Sequence, residues 1–192
     1  MDNDQPAPDL DPHEPCMQML AIYATFGPET IAGRARALEL SLARPVTCAA
    51  SPEMIPEPER SALMAAMGAH KPRAKLCHDN AWRICAFEGD PFSLVSGYAS
   101  SIIPIEHSWI RIATASGPID FDPTDWGVFG GGQFSGHVQT FCLDHKQASQ
   151  RAIDTGHSGP WREDILFEML GVPPIRRVAP STAAKPRKKA KP

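Results

Sequence analysis

The chain has 192 residues, 42% of them hydrophobic, and a formal net charge of −3 at pH 7. This length fits one domain with tails, and this apolar content excludes a wholly disordered chain. The small net charge by itself indicates no partner, and no apolar run approaches the ~18 residues that a membrane-spanning helix needs.

Charge is concentrated at the two ends of the chain. Residues 1–15 hold five acidic side chains, four prolines and no Lys or Arg, which predicts a disordered acidic tail. Residues 179–192 are rich in Ala, Pro and Lys, which predicts a disordered basic tail. That tail would make only a weak, salt-sensitive contact with nucleic acid or an acidic surface. Residues 16–178 are the predicted single folded domain.

The number and spacing of the cysteines indicate the cellular compartment of the protein. Their number is odd and no C-x-x-C pair occurs, which disfavours both a disulfide scaffold and a zinc ribbon and favours a reducing compartment. The acidic N-terminus does not resemble a secretory signal. We therefore expect a cytoplasmic protein without membrane association. The five are Cys16, Cys48, Cys77, Cys85 and Cys142.

The first half of the domain is predicted to be helical. A first helix lies within 27–45, with Pro28 just inside its start. A second lies within 58–72, and a third begins at Cys77 and stops near Gly89. The side chains predicted to face inward are Ile31, Ala35, Leu38 and Leu42 on the first helix, and Leu63, Met64 and Met67 on the second.

Strands are predicted next. Segments 92–102, 106–115 and 117–123 alternate apolar with polar or small residues, as half-buried strands do. A glycine-rich loop at 127–136, another strand at 137–143 and two closing helices complete the domain. Helices followed by strands and then helices predict an α+β fold and not the alternating order of a parallel sheet.

Three residue types suggest nucleophilic catalysis. A catalytic cysteine needs an ionised thiol, a base within hydrogen-bond reach and a third group that orients the base. Cys77 lies at a predicted helix start, which favours a thiolate. His107 begins one strand, and Asp120 and Asp122 lie on the next, where side chains approach to ~5 Å across an antiparallel pair. Both Asp residues have the same parity, so the hairpin alone does not choose between them.

The ordered pattern of Cys77, "SGY", "HSW" and "DFDPT" resembles the transglutaminase-like core of the papain-like cysteine enzymes, over about residues 75–125. The resemblance implies helices packed on an antiparallel sheet. It implies Cys77 as nucleophile, His107 as general base and acid, and Asp122, in preference to Asp120, as the orienting carboxylate. Gly97-Tyr98 matches the strand before the histidine.

The chain also departs from that family's pattern. Lys75-Leu76 stands where the family usually has glycine, and Ser108 replaces the middle alanine of its H-A-W. The oxyanion donors therefore stay open. The backbone N–H of Cys77 is the natural first donor at a helix start, and Asn80, Trp82 and Lys75 are the nearby side chains.

The expected function is cysteine-dependent acyl transfer on an amide bond, by hydrolysis, on a peptide or amide substrate and without a cofactor. Two alternatives are an amine-using transglutaminase and a catalytically inactive binding or adaptor module. A metal site is a third, although the spacing of its candidate ligands matches no usual scheme. Those ligands are Cys77, His78, His107, Asp120 and Asp122.

Structural interpretations of the two aspartates and of the glycine-rich loop also stay open. Asp120 could cap the turn, and Asp122 could cap the segment "PTDW". The glycines 130–132 resemble a phosphate loop only by composition, because the Lys-Ser/Thr ending is missing. We expect them to form a mobile loop near the site.

Overall fold

A computed structural model describes residues 11–173 of the chain. Within this range the fold is α+β, with seven helices and one six-stranded sheet. None of the described helices has the length and apolar character required to cross a membrane. The helices are α1 Glu14–Ala24, α2 Ile31–Leu42, α3 Glu59–His70, α4 Cys77–Arg83, α5 Pro123–Phe129, α6 His145–Thr155 and α7 Arg162–Met169. The strands are β1 Arg44–Val46, β2 Cys48–Ala49, β3 Phe92–Ser100, β4 Pro104–Ile112, β5 Ile119–Phe121 and β6 Gly136–Leu143.

The strand order in the sheet is β1-β6-β3-β4-β5-β2. All neighbours pair antiparallel except β2 and β5, which run parallel. The long strands β3 and β4 pair along their whole length, from Phe92 opposite Ile112 to Ser100 opposite Pro104. On β4, the short β5 reaches only Ile110–Ile112. The first part of β4, which contains His107, therefore extends beyond the end of β5.

Gly97 is required by its position at the centre of the sheet. It lies opposite His107 on β4 and opposite Gln139 on β6, next to a β-bulge between Ser96 and Gly97. A Cβ atom on Gly97 would lie 2.0 Å from the carbonyl oxygen of Val138. Such a contact is sterically forbidden, so the glycine permits a close approach of two backbones beside the histidine.

The main core lies between the sheet and the helices α3, α4 and α6. Leu63 and Met67 of α3 and Ala81 of α4 pack against buried residues of β3, β4 and β5. The helix that begins as α4 continues through a π-helical turn, Ile84–Glu88, and ends at Gly89 as predicted. This packing sets the helix that begins at Cys77 against β4.

One smaller apolar cluster and one buried polar group attach the helices α1, α2 and α7. Cys16 and Leu20 of α1 pack on Tyr98 and Val138 of the sheet. A buried polar group then ties α2, β3 and α7 together, because Glu39 accepts hydrogen bonds from Tyr98 and Arg162. These contacts hold the helices at the end of the sheet where the histidine strand begins.

The structure corrects several predicted details in the first half of the domain. Ile31, which the helical stripe placed inside, is 49% exposed, and buried Glu39 takes an inward position instead. The inward face of α3 consists of Leu63, Ala66 and Met67, while Met64 is exposed. Ala35, Leu63 and Met67 are buried as predicted, so the two helices differ from the prediction only at the edges of their buried faces, which periodicity alone does not resolve.

Other elements differ from the prediction. The short strands β1 and β2 were not predicted: β1 begins within the segment 27–45 of the first predicted helix, and β2 lies just after that segment. Helix α5 begins at the "PTDW" that Asp122 could cap, but its extent to Phe129 was not predicted. Helix α1 begins at Glu14, inside the predicted acidic tail, with Pro15 in its first turn. Residues 1–10 of that tail and the predicted basic tail at 179–192 lie outside the described residues.

Candidate active site

Cys77 is the first residue of α4, as predicted. The helix begins with a hydrogen bond from the Asn80 N–H to the Leu76 carbonyl, at 2.8 Å. No side chain caps this helix start, and Cys77 itself is half-buried. The first N–H groups of a helix have no partner inside the helix and carry partial positive charge, which suits a sulfur anion at this position.

His107 and Asp122 meet where β4 extends past β5. His107 lies on β4 and is 1% exposed. The sequence suggested that Asp122 lies on a strand. Instead, Asp122 directly follows the last residue of β5 and caps helix α5. His107 Nε2 lies 2.6 Å from Asp122 Oδ2, a hydrogen bond between groups fifteen positions apart.

The Asp122 carboxylate is fully engaged. Its Oδ1 accepts hydrogen bonds from the backbone N–H groups of Thr124 and Asp125, at 2.9 and 3.0 Å, while Oδ2 faces His107. One oxygen of Asp122 therefore caps a helix and the other binds the imidazole. Burial alone would raise the pKa of Asp122, but the charge of His107 and its hydrogen bonds hold that pKa well below its usual range.

The Cys77 side chain is among the groups that interact with the imidazole of His107. His107 Nδ1 is buried and has no hydrogen-bond partner within the described residues. Burial lowers the pKa of His107, but the Asp122 carboxylate, helped by the adjacent Cys77 side chain, outweighs burial and raises this pKa to about 10. The imidazole is therefore held in its protonated form, with Nε2–H bonded to the Asp122 carboxylate and the Cys77 side chain nearby.

A second histidine, His137 of β6, also contacts Asp122. Its Nε2 lies 3.2 Å from Asp122 Oδ2, and its ring is 5.9 Å from the ring of His107. Sequence reasoning assigned His137 only to a strand. No local signal could have identified it, because the strand order that brings β6 beside β3 is a tertiary property.

The glycine-rich loop lies next to the histidines. Asp125 accepts hydrogen bonds from the N–H groups of Gly132 and Gln133, at 2.9 and 2.8 Å. This anchors the loop so that the ring of Phe134 sits 4.6 Å from the ring of His107. The loop is therefore tethered near the site, and Phe134 excludes water from one side of the imidazole.

Asp120 has a different set of partners. It accepts a hydrogen bond from the Trp109 indole at 3.1 Å and a bidentate pair of hydrogen bonds from the Arg111 guanidinium at 3.1 and 2.9 Å. Neither oxygen is bonded to His107. Asp120 therefore joins β4 to β5, which gives it a structural role distinct from that of Asp122.

Of the three side chains considered for an oxyanion hole, Asn80 and Trp82 are hydrogen-bonded elsewhere, and Lys75 is exposed. Asn80 is bonded to Arg73 and Thr124, and the Trp82 indole donates to the Ala148 carbonyl at 3.3 Å. His78 lies 2.6 Å from the Ser108 hydroxyl. Burial, and then the charge of His107, lowers the pKa of His78 to about 4, so His78 is neutral at pH 7.

His107, Asp122 and His137 also form the one group in the described part of the chain whose ligand atoms could hold a metal ion. Two histidines and a carboxylate suit several metals. However, His107 Nε2 and Asp122 Oδ2 are 2.6 Å apart. That is shorter than the roughly 3 Å between two atoms that each bind zinc at ~2.0 Å. The present arrangement is a hydrogen-bonded pair, and Cys77 and Asp120 are not in the group.

Comparison with known proteins produced no match: no protein-family model, curated protein or solved structure is similar to this chain.

Proposed function

We propose that this protein is a cysteine-dependent acyl-transfer enzyme that acts on an amide bond, with Cys77 as nucleophile, His107 as general acid and base, and Asp122 as the orienting carboxylate. One observation carries the proposal. A helix-start thiol interacts with a buried histidine whose Nδ1 has no hydrogen-bond partner within residues 11–173, while the Nε2 of that histidine is 2.6 Å from a buried carboxylate. We attribute a transglutaminase-like arrangement to the fold on the sequence resemblance.

The first half-reaction follows from these contacts. In the resting site the proton of Cys77 already resides on His107, which gives a thiolate–imidazolium pair, and the thiolate sulfur attacks the carbonyl carbon of the amide, forming a C–S bond. Asp122 stabilises the imidazolium through Nε2. His107 then transfers the proton from Nδ1 to the leaving nitrogen. The C–N bond breaks, the amine departs and a thioester remains.

The second half-reaction returns the enzyme to its starting state. A water molecule gives a proton to His107 Nδ1 as its oxygen attacks the thioester carbonyl. The C–S bond breaks, the carboxylic acid is released, the sulfur leaves as a thiolate and His107 keeps the proton taken from water, which restores the resting pair. If a primary amine replaces water, the same steps give a new amide, so the same site supports the transamidase alternative. Hydrolysis is our first choice because water is always present.

The negative oxygen of the tetrahedral intermediates needs donors. We assign the backbone N–H of Cys77, at the start of α4, as one donor to this oxygen. Asn80 and Trp82 are not assigned, because their N–H groups are bonded to other parts of the protein.

A labelling experiment tests the proposal without knowledge of the substrate. Trypsin releases Cys77 alone in peptide 76–83 and Cys142, an exposed thiol, in peptide 112–146. We expect iodoacetamide at pH 6 to modify Cys77 at least about tenfold faster than Cys142, since a thiolate paired with an imidazolium stays reactive at low pH. His107→Gln should remove this preference.

An acylation experiment separates an active enzyme from an inactive module. A p-nitrophenyl acyl ester should release about one equivalent of p-nitrophenolate in a burst and add the acyl mass to peptide 76–83. Cys142→Ser should keep the burst and Cys77→Ser should lose it. An unreactive Cys77 in the folded wild-type protein would favour the adaptor alternative, and loss of the burst on treatment with a chelator would favour a metal site.

A further inference from the structure

The carboxamide of Asn80 is one of the most completely bonded buried groups near the site. Asn80 is 2% exposed and lies one helical turn after Cys77 on α4. Its Oδ1 accepts a hydrogen bond from the Arg73 N–H at 3.0 Å, and its Nδ2 donates to the Arg73 carbonyl at 2.8 Å. Nδ2 also donates to the Thr124 hydroxyl at 3.0 Å. All of the donors and the acceptor of the amide are therefore used toward two separate segments.

The first segment is the loop that leads into Cys77. Lys71 and Lys75 in this loop have φ angles of 44° and 63°, and they are the two non-glycine residues with positive φ between residues 11 and 173. Side chains disfavour this conformation, so the surrounding contacts must hold the loop in place. Arg73 lies between these two residues in sequence. Its backbone N–H and C=O are both hydrogen-bonded to the Asn80 side chain, which supplies such a contact.

The second segment is the start of α5. Thr124 accepts from Asn80 through its hydroxyl, and its backbone N–H donates to Asp122 Oδ1 at 2.9 Å. The chain of contacts therefore runs from the loop before Cys77, through Asn80 and Thr124, to the carboxylate that holds His107. It links two segments that are far apart in sequence and that each carry one member of the candidate triad.

We propose that Asn80 is a positioning residue for the Cys77–His107–Asp122 site, which it assembles by locking the loop before the nucleophile to the helix start that presents Asp122. This inference rests on the proposed function. Asn80 does not touch the reacting atoms in this role. It acts by fixing the distance between the sulfur and the imidazole, and a small displacement of such groups is costly in a preorganised site.

Thr124 variants test the link with the smallest change. Thr124→Ser keeps the hydroxyl that accepts from Asn80, whereas Thr124→Val keeps the shape and removes it. We expect Thr124→Val to reduce the Cys77-to-Cys142 ratio of alkylation rates at pH 6 by about fivefold or more, and Thr124→Ser to retain the wild-type ratio. Asn80→Asp, which removes both Nδ2 donors at constant size, should reduce the ratio at least as much.

A control separates positioning from general stability. Ile84→Val removes one methylene from the buried continuation of the same helix and should lower the melting temperature without changing the ratio. If Asn80→Asp fails to fold, the Thr124 pair still decides the question.

The outcomes distinguish the two proposals. If Cys77 of the wild-type protein is not preferentially alkylated at pH 6, the proposed function and the role of Asn80 fall together. If the wild type shows the preference and folded Thr124→Val retains it, only the role of Asn80 is overturned. A reduced ratio in Ile84→Val as well would show that Asn80 acts merely through stability, and would also overturn the inference.

Discussion

His107 and Asp122 belong to different structural elements, yet His107 Nε2 and Asp122 Oδ2 are 2.6 Å apart and both side chains are almost fully buried. The contact forms because β5 ends at Phe121, so that the next residue caps α5 beside the extended part of β4. A buried pair of this kind is costly to break, since removing one partner leaves an uncompensated charge.

The two neighbouring aspartates should have different effects on activity. Asp122→Asn removes the negative charge that stabilises the imidazolium, and we expect it to slow acylation of Cys77 by roughly 10³-fold or more. Asn is itself a good helix cap, so the loss should not come from α5. Acylation is measured as the burst of p-nitrophenolate in stopped flow.

Asp120→Asn is the matched control for that change. It weakens the contacts with Trp109 and Arg111 and should cost about 1–3 kcal/mol of stability, while acylation changes little. Equal losses of rate in the two variants would contradict the assignment of Asp122.

The stability provided by the His107–Asp122 pair should depend on pH in a defined window. The pKa of His107 is raised from its ordinary 6.5 to about 10, so its contribution is complete below pH 6.5 and is lost as the pH rises through about 10. The pKa of Asp122 is lowered from 3.8, so its contribution is complete above pH 3.8 and is lost as the pH falls below that value. The two contributions overlap fully between about pH 4 and 6.5.

Urea unfolding of the wild type and Asp122→Asn measures this effect. We expect the difference in free energy of unfolding to be largest near pH 5–6, at roughly 3–5 kcal/mol, and to shrink steadily toward pH 10. A difference that stays constant from pH 5 to pH 10 would show that His107 does not titrate in the raised range.

The glycine opposite His107 should not tolerate a side chain. In Gly97→Ala the new Cβ would lie 2.0 Å from the Val138 carbonyl oxygen, so the backbones of β3 and β6 must separate. We expect a loss of about 3 kcal/mol in stability, measured by urea unfolding.

Gly68→Ala is the comparison variant. Gly68 lies inside α3, and a Cβ there would meet no atom within 4 Å. The change should stabilise the protein by about 0.5–1 kcal/mol, because alanine favours a helix. Similar effects at both positions would argue against the close approach at Gly97.

Phe134 should influence the reactivity of Cys77 through His107. Its ring covers the imidazole at 4.6 Å, and water in its place would weaken the imidazolium–carboxylate pair by raising the local dielectric constant. We expect Phe134→Ala to lower the alkylation rate of Cys77 at pH 6 several-fold. Phe129→Ala, at an exposed position at the end of α5, should leave that rate unchanged.

Local patterns in the sequence determined much of this protein. The α+β order, the strands β3 and β4, the helix that starts at Cys77 and its end at Gly89 all follow from periodicity and from residues that begin or stop an element. Asp122 before Pro123 also indicated a cap, which the structure contains at the start of α5. Such features depend on neighbours in the chain, so they are readable without the fold.

Tertiary structure alone decided which of these residues meet. The approach of Cys77 to His107, the contact of His137 with Asp122 and the link from Asn80 to Thr124 join segments between fifteen and more than forty positions apart. The buried faces of α2 and α3 likewise depend on what packs against them. The pairing of β1 with β6 and of β2 with β5 also depends on the rest of the sheet. Strand order and core packing minimise the free energy of the whole domain, so no short stretch of sequence specifies these contacts.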